Sequence, residues 1–394
     1  LGRLWVASMH TGAGHRGGLV LVVDHQVPSP DKDSGSVRMR RLLDVLVAQG
    51  ARVVFFASNG ALPRGYTDDL QQAGVTVLAD EAGQHEFLRE AGEELRLVLL
   101  SRPNVAWRYL EQVRDCAPQA LLAYDTVDLH FVRLGRQAEL AAELGDTARA
   151  AALRKRADAS RELELGLVRS ADVALTVSDS ERAVLTAHVP DAEFAVLSNV
   201  HIERGPAATP SGRTRLLFVG SFDHPPNVDA ARWLAEEIMP LVRKRCPEAV
   251  LDLVGSNPPA EVLALDGDGV VSHGWVPDLA PLYAAARLSV APLRFGAGVK
   301  GKVGESLGHG VPVVGTPVAF EGTALTEGRE VLIGTTAEQI ADAVVTALGD
   351  DELWQRLSDA GRATIAEQFG PELARATLND LLAEAARRTN PGII

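Results

Sequence analysis

Residues 288–316, LSVAPLRFGAGVKGKVGESLGHGVPVVGT, decide the fold of the second half of this chain. The apolar start, Leu288–Ala291, predicts a buried strand, and the run of glycines after it predicts a loop. A short helix is predicted from about Gly301 to His309, because Gly310 follows it. The apolar segment that Pro312 opens predicts the next strand. The pattern is therefore strand, glycine-rich loop, helix, strand.

The predicted helix has an apolar face and a polar face. At 100° per residue, the apolar face carries Val299, Val303 and Leu307. The polar face carries Lys302, Glu305 and His309. The first face suits packing against a sheet, and the second suits the border of a binding site.

The loop before this helix combines glycines with cations. Its candidates for binding a donor diphosphate are Arg294, Gly298, Val299, Lys300, Gly301 and Lys302. Free backbone N–H groups, the positive end of a helix dipole and three cations suit a diphosphate. The carboxylate of Glu305, one turn into the helix, suits the hydroxyls of a ribose. The alternative is an ordinary crossover with solvated lysines, because a glycine-rich loop alone is a weak signal.

The surrounding segments resemble a known family of enzymes. They are HGWVPDL at 273–279, LY at 282–283, the loop itself, Glu305, and GVPVV at 310–314. In this combination they resemble retaining GT-B glycosyltransferases of the family 4 type, which are glycogen-synthase-like and mannosyltransferase-like. The resemblance extends from Val20 to about Leu382. It implies an α/β protein with two Rossmann-like, doubly wound domains and a cleft between them.

Length and composition also favour two domains. The chain has 394 residues, of which 46% are hydrophobic, enough for two buried cores. The segment RGPAATPSGRT at 204–214 predicts the interdomain hinge. We expect an extension or linker at 1–18, an acceptor domain at 19–203, a nucleotide-sugar domain at 215–370 and a helix at 371–394 that returns to the first domain. A start at Leu1 rather than Met indicates a larger parent chain.

Short apolar runs predict thirteen strands. In the first domain they lie at 19–24, 53–57, 75–78, 97–100, 120–124, 173–177 and 194–197. In the second domain they lie at 215–220, 251–255, 270–272, 288–291, 311–315 and 331–333. Helical periodicity between them predicts parallel sheets. One long helix is predicted from about 228 to 242.

The loop after the first strand is a candidate for the acceptor or sugar side. In the resembling family this loop faces the cleft, which makes Asp33, Ser34 and Gly35 candidates. The alternative is an ordinary turn. In either case Ser34 or Ser36 is expected to cap the helix that follows. The loop lacks G-x-G-x-x-G, so a dinucleotide site is not expected here.

Another strand end in the first half carries two acids and a histidine, in YDTVDLH at 124–130. In the family, a histidine at a comparable strand end lies under the donor sugar and orients or stabilises it. His130 is therefore a catalytic candidate beside Lys302, with Asp128 as its neighbour. The alternative is a surface histidine near a helix start. Further along, the spacing of Ser178 and Glu181 predicts a capping box with a structural role.

Two positions depart from the pattern of the family. Ser221, a further candidate for the donor side, follows a strand where many members carry an arginine that holds the donor diphosphate. Ala297 replaces the first of two glutamates, and Glu305 is the second. A covalent intermediate at Ala297 is therefore not expected. We expect Lys302 and its neighbours to stabilise the departing diphosphate electrostatically instead.

Charge and cysteine content limit the other partners. The 39 basic and 52 acidic residues give a net charge of −13, which disfavours nucleic acid. Cys116 and Cys246 fit no metal-ligand spacing and indicate a reducing compartment. No apolar run is long enough to span a bilayer. We expect a cytoplasmic protein, with the inner membrane face as a peripheral location if the acceptor is lipid-linked.

These observations predict a hexosyltransferase. It would move sugar from a nucleotide-diphosphate donor to a saccharide, lipid-linked or small-molecule acceptor with retention of configuration. No cofactor or metal is expected, because lysine and arginine replace Mg²⁺ and the D-x-D triplets at 31–33 and 266–268 lie in turn-rich segments. Two alternatives remain. Ala297 and Ser221 favour a non-catalytic sugar-nucleotide-binding or partner protein, whereas a nucleotide-sugar 2-epimerase would need further carboxylates and histidines in the cleft.

Overall fold

The computed structural model describes residues 17–204, 209–211 and 213–389. Most of the predicted extension at 1–18, part of the predicted hinge at 204–214 and residues 390–394 lie outside these ranges. The described residues form two parallel β-sheets with helices on both faces.

The first sheet has seven strands in the order β3-β2-β1-β4-β5-β6-β7, and every pairing is parallel. Its strands are β1 (Leu19–Asp24), β2 (Arg52–Ala57), β3 (Val75–Leu78), β4 (Leu95–Ser101), β5 (Leu121–Asp125), β6 (Val173–Thr176) and β7 (Phe194–Val196). The helices of this domain are α1 (Ser34–Ala48), α2 (Arg64–Gln72), α3 (Glu81–Ala91), α4 (Pro103–Cys116), α5 (His130–Glu143), α6 (Thr147–Ser170) and α7 (Asp179–His188). A 3₁₀ turn spans Gly92–Glu94.

The second sheet has six parallel strands in the order β10-β9-β8-β11-β12-β13. They are β8 (Arg215–Val219), β9 (Val250–Val254), β10 (Val270–Gly274), β11 (Ala286–Ala291), β12 (Val313–Gly315) and β13 (Val331–Ile333). The helices are α8 (Pro225–Trp233), α9 (Met239–Arg243), α10 (Ala260–Leu263), α11 (Ala280–Ala285), α12 (Gly301–Gly308), α13 (Pro317–Phe320), α14 (Ala337–Gly349), α15 (Asp351–Phe369) and α16 (Pro371–Thr389). The predicted α/β fold is confirmed, and all thirteen predicted strands are present to within two residues at either end.

The strands read as continuous apolar runs because helices cover both faces of each sheet. All six residues of β1 are buried. Val20 and Val22 belong to the core on one face, whereas Leu19, Leu21 and Val23 belong to the core on the other. An alternating pattern would have left one face of the sheet for solvent.

The predicted helix at about 228–242 is interrupted. It begins earlier, as α8, and continues through a π turn at Leu234–Ile238 into α9. Pro240 lies in the first turn of α9 and has no N–H to donate to a carbonyl in the preceding turn. The π turn accommodates this missing hydrogen bond.

The last helix, α16, packs against the first domain. Leu378, Leu381 and Ala385 join the core on one face of the first sheet. The hydroxyl of Thr377 donates a hydrogen bond to the carbonyl of Val196 at 3.1 Å. The chain therefore crosses between the domains twice. Within the described ranges, no helix combines the length and the apolar character that a bilayer span requires.

Candidate functional site

A cavity of about 830 Å³ lies between the two domains, within the size range of small-molecule sites. Its walls come from the loops that follow β1, β5, β7, β8, β9, β10 and β11. These are the carboxyl ends of parallel strands. In the second sheet, the strand order reverses between β8 and β11, and ligands of open α/β sheets bind at such reversals.

The glycine-rich loop meets the cavity at the N-terminus of α12. Lys300 occupies the N-cap position, and no side chain caps the helix. Gly298 has a φ of 72°, in the left-handed region that favours glycine. The first-turn amide of Val303 donates to the carbonyl of Lys300 at 2.9 Å. The amides of Gly301 and Lys302, two residues that line the cavity, have no acceptor among the described residues and are available to an anion.

Two lysines of this wall lack a carboxylate partner at ion-pair distance among the described residues. The Nζ atom of Lys302 donates to Asn227 Oδ1 at 2.6 Å and lies 4.1 Å from the ring centroid of Phe218. The Nζ atom of Lys300 donates to the carbonyls of Ala297, at 3.1 Å, and Gly298. Burial, and then the charge of Lys300, lower the pKa of Lys302 to about 7. Burial also lowers the pKa of Lys300 to about 8, although nearby carboxylates oppose the shift. In the described part of the chain, neither amino group has a carboxylate close enough for an ion pair, so a bound anion would stabilise the charged form of both lysines.

Arg294 does not take part in this arrangement. Its Nε atom donates to Asp229 Oδ2 at 2.9 Å, and its guanidinium lies over the ring of Trp233 at 5.3 Å. Arg294 is also absent from the lining of the cavity. We therefore correct its predicted role in diphosphate binding, because its charge is neutralised on α8.

Glu305 lies one turn into α12 and is surrounded by arginine and histidine side chains. Its carboxylate is 3.1 Å from Arg204, 3.7 Å from His309, and 3.8 Å from both Arg41 and His201. Burial would raise the pKa of Glu305, but the two neighbouring histidines and the two arginine charges hold it well below its usual range. Glu305 is therefore an ionised acceptor at neutral pH.

His130 is the first residue of α5 and lines the same cavity. Its Nε2 atom is 3.2 Å from Asp128 Oδ1, and the Nε atom of Arg133 donates to Asp128 Oδ2 at 2.8 Å. Burial opposes the charge of Asp128, but Arg133 and His130 hold the pKa of this carboxyl far below its ordinary value. The imidazole is thus oriented by a carboxylate on the first-domain side of the cleft.

The loop after β1 also reaches the cavity, as predicted for the acceptor or sugar side. Asp33 is the N-cap of α1, where its two oxygens accept from the backbone N–H and the hydroxyl of Ser36 at 2.8 and 2.7 Å. The expectation that Ser34 or Ser36 caps this helix was therefore wrong. Ser34 and Gly35 line the cavity, together with Ser221 from the loop after β8.

The chain is similar to known proteins in part of its second domain and in its overall fold. Residues 213–350 match the family model described as glycosyl transferases group 1. Sucrose-phosphate synthase from Thermosynechococcus elongatus superimposes with a TM-score of 0.68 at 17% identity, over 93% of this chain and 98% of that one. Anabaena HepE, solved in complex with UDP and glucose, superimposes with a TM-score of 0.66 at 13% identity, over 93% of this chain and all of that one.

The fold is GT-B. The two parallel-sheet domains superimpose on these structures along nearly the whole chain. Together with the family match, this fold supports a GT-B glycosyltransferase. An uncharacterised 44.6 kDa protein of the cps region of Klebsiella pneumoniae is 26% identical over 139 residues, which are 33% of this chain and 36% of that protein. The matched segment thus spans about a third of this relative.

A buried glutamate that the sequence analysis missed lies behind the GT-B cleft and outside its lining. Glu164 is buried in α6, and its two oxygens accept from the backbone N–H groups of His130 and Phe131 at 3.0 and 2.9 Å. It therefore caps α5 from a helix elsewhere in the chain. Charge alternation along α6 gave no signal that this glutamate differs from its solvated neighbours.

The predicted capping box at the start of α7 is half formed. The hydroxyl of Ser178 accepts from the N–H of Glu181 at 3.3 Å, as expected of an N-cap. The carboxylate of Glu181 does not complete the box. It accepts from the N–H groups of Leu129 at 3.2 Å and Gly298 at 2.9 Å instead. The structural interpretation of Glu181 was therefore incomplete, because its side chain joins the two domains.

Proposed function

We propose that this protein transfers a hexosyl-type sugar from a nucleoside-diphosphate donor to an acceptor hydroxyl, with retention of anomeric configuration and without a metal. One observation carries the proposal. Lys300 and Lys302, which have no carboxylate partner at ion-pair distance within the described ranges, lie at an uncapped helix N-terminus in the interdomain cavity. An ionised carboxylate, Glu305, lies one turn further along the same helix.

Each element of this site has a role in the proposal. The first-turn amides of α12 and the two lysines hold the diphosphate, and Glu305 accepts hydrogen bonds from the ribose hydroxyls. As the bond between sugar and diphosphate breaks, negative charge grows on the leaving oxygen, and the fixed cations and N–H dipoles stabilise it. Protein cations thus take the place that Mg²⁺ has in metal-dependent transferases.

The first domain supplies the sugar and acceptor side of the proposed site. His130, oriented by Asp128, lies under the donor sugar as that sugar becomes cation-like. The acceptor hydroxyl, held by the loop of Asp33, Ser34 and Gly35, attacks from the face that the diphosphate leaves, and a phosphate oxygen takes its proton. The likeness to HepE, solved with UDP and glucose, supports UDP as the first donor nucleotide to test.

A non-catalytic sugar-nucleotide-binding protein is the second candidate. Ala297 in the cavity wall favours it, because the position offers no carboxylate to the sugar. Both candidates bind a nucleotide, so binding alone does not separate them. Release of free nucleoside diphosphate in the presence of an acceptor does.

A donor screen by thermal shift tests the proposal first. UDP, GDP and ADP, and their glucose and mannose derivatives, are each added to the full chain and to the variant Lys302→Met. A ligand at 100 times its dissociation constant adds about 2.7 kcal/mol to the free energy of unfolding. The wild type should gain this stabilisation from one nucleotide class, and the variant should lose most of it. Absence of any stabilisation by all nine ligands would refute the proposal.

The anomeric outcome is tested with the donor that binds. The product is formed with an acceptor mixture of simple glycosides, and the coupling constant of its anomeric proton is read by NMR. Retention predicts an α-linked product from an α-linked donor. A β-linked product would show inversion and overturn the retaining part of the proposal.

A further inference from the structure

The glycine-rich loop belongs to the second domain, but side chains of the first domain hold its backbone. The Nδ2 atom of Asn199 donates to the carbonyl of Val299 at 3.0 Å. The carboxylate of Glu181 accepts from the N–H of Gly298 at 2.9 Å. These contacts act on successive residues of the loop, directly before the N-cap of α12.

A third hold lies at the start of the loop. Arg136 of α5 donates to the carbonyl of Gly296 at 2.8 Å. The same guanidinium makes two hydrogen bonds, of 2.5 and 2.6 Å, to the carboxylate of Glu321. The first domain therefore fixes both ends of the segment 296–299.

Glu181 differs from Asn199 and Arg136 because a single one of its atoms accepts hydrogen bonds from both domains. Its Oε1 atom accepts from Gly298 and also from the N–H of Leu129, at 3.2 Å. Leu129 lies between Asp128 and His130 in the chain. The Oε2 atom of Glu181 is buried and accepts no hydrogen bond. A single oxygen thus joins the donor loop to the backbone that presents His130.

The two backbones that Glu181 joins are in close contact. A methyl group built on Gly298 would lie 3.0 Å from Asp128 Cβ and 3.4 Å from the carbonyl oxygen of Val127. Such spacing leaves no room for a side chain at position 298. Glu181 therefore acts at one of the close contacts between the domains along the donor loop.

Joining two amides through a buried carboxylate costs desolvation free energy. Burial, and then the negative charge of Asp128, raise the pKa of Glu181 to about 7, against opposing contributions from Lys300 and the two amides. A glutamine would keep an oxygen acceptor for both N–H groups without burying a charge. The Oε1 acceptor, rather than the charge of Glu181, therefore makes both contacts.

We propose that Glu181 is a positioning residue of the donor site, which ties the glycine-rich loop to the strand end that carries His130. This inference rests on the proposed function, because it assigns the loop to the donor diphosphate. It makes donor affinity depend on a side chain of the first domain that lies outside the cavity lining. The two hydrogen bonds to Glu181 Oε1 then fix the N-terminus of α12 and the backbone that carries His130 relative to each other.

The first test needs no ligand. Amide hydrogen exchange is measured by mass spectrometry on the full chain for the wild type, Glu181→Ala, Glu181→Gln and, as a matched control, Glu90→Ala, an exposed glutamate on α3. Glu181→Ala should speed exchange of peptides covering 296–303 about tenfold, the effect of losing one hydrogen bond of roughly 1.4 kcal/mol. Glu181→Gln should stay within about twofold of the wild type, because Oε1 is retained. Unchanged exchange in Glu181→Ala would overturn the proposal.

The second test measures the dissociation constant of UDP by calorimetry for the same proteins. Glu181→Ala should raise the dissociation constant of UDP about tenfold, and Glu181→Gln should keep the wild-type value. Should the alanine variant fail to fold, Glu181→Asp serves instead, since its shorter side chain should weaken both exchange protection and UDP affinity. Faster exchange with unchanged UDP affinity would overturn the positioning role.

The two tests also separate this inference from the proposed function. A wild type that binds neither UDP nor GDP nor ADP refutes the proposed function, and the donor role of Glu181 falls with it. A wild type that binds UDP with the same affinity as Glu181→Ala leaves the proposed function standing and refutes only this inference.

Discussion

Binding of a nucleoside diphosphate should be coupled to proton uptake. Burial disfavours the charged forms of Lys302 and Lys300 and lowers their pKa values to about 7 and about 8. Two opposite charges about 4 Å apart attract by about 4 kcal/mol at an effective dielectric constant of 20. At about 1.4 kcal/mol per pKa unit, such an attraction raises each pKa by about three units. Both lysines are then protonated in the complex at pH 8.

The number of protons follows from the fraction of each lysine that is neutral beforehand. At pH 8, about 0.9 proton is taken up at Lys302 and about 0.5 at Lys300, or about 1.4 in all. At pH 7 the corresponding total is about 0.6. Because the complex holds more protons than the free protein, affinity must fall as pH rises, by about tenfold between pH 7 and pH 8.

The assay is titration calorimetry with UDP in two buffers of different ionisation enthalpy, such as HEPES and Tris, at each pH. The dependence of the observed enthalpy on buffer enthalpy gives the number of protons taken up. The variant Lys302→Arg stays charged at both pH values, so uptake at pH 8 should fall to about 0.5. Proton uptake near zero at pH 8, or unchanged uptake in Lys302→Arg, would refute the assignment of these lysines to the diphosphate.

Four further predictions follow from individual contacts. Glu305→Gln should weaken UDP about tenfold to a hundredfold, since hydrogen bonds to a charged acceptor contribute about 1.5–3 kcal/mol; calorimetry beside the exposed control Glu338→Gln measures this, and equal affinity would remove the ribose role. His130→Ala should lower turnover by tenfold or more with the dissociation constant of UDP retained, so wild-type turnover would contradict its place under the sugar. Gly301→Ala places a methyl group 2.5 Å from Ser34 Cβ across the cleft and should therefore weaken UDP binding. Adding Ser34→Gly should restore the affinity, and failure to do so would contradict the assignment of the loss to this contact. Asp125→Ala leaves the buried guanidinium of Arg38, on α1, without its carboxylate partner. It should lower the free energy of unfolding by about 3–5 kcal/mol in urea melts, and a loss below about 1 kcal/mol would contradict the burial of this pair.

The elements of the fold were predictable because they depend on local patterns. The run LVLVVD at 19–24 predicts a strand covered by helices on both faces of a parallel sheet. In the structure this strand is β1, and all six of its residues are buried. The helix after the glycine-rich loop was predicted within one residue of α12, because a glycine follows it and its apolar face repeats every three to four residues. The π turn before Pro240 was not predicted, because a proline near a helix end leaves open how the helix adjusts.

The candidate site was only partly predictable, because charge partners come from distant parts of the chain. Lys300, Lys302 and Glu305 were found from a loop and a helix that are contiguous in sequence, and all three line the cavity. Arg294 lies in the same loop, but Asp229, 65 residues earlier, holds it away from that cavity. No local pattern distinguishes a cation that is already neutralised from one that is not.

The amino-acid sequence by itself determined two parallel α/β sheets and the loop that brings glycines and lysines to a helix N-terminus. Hydrophobic periodicity and glycine placement act over a few residues, and they are legible in one dimension. Only the tertiary structure decided which charges are paired, and that Glu181 of the first domain, more than a hundred residues from Gly298, hydrogen-bonds the donor loop. Ion pairs and buried hydrogen bonds depend on distances between segments, which the packing of two domains sets and the order of residues does not.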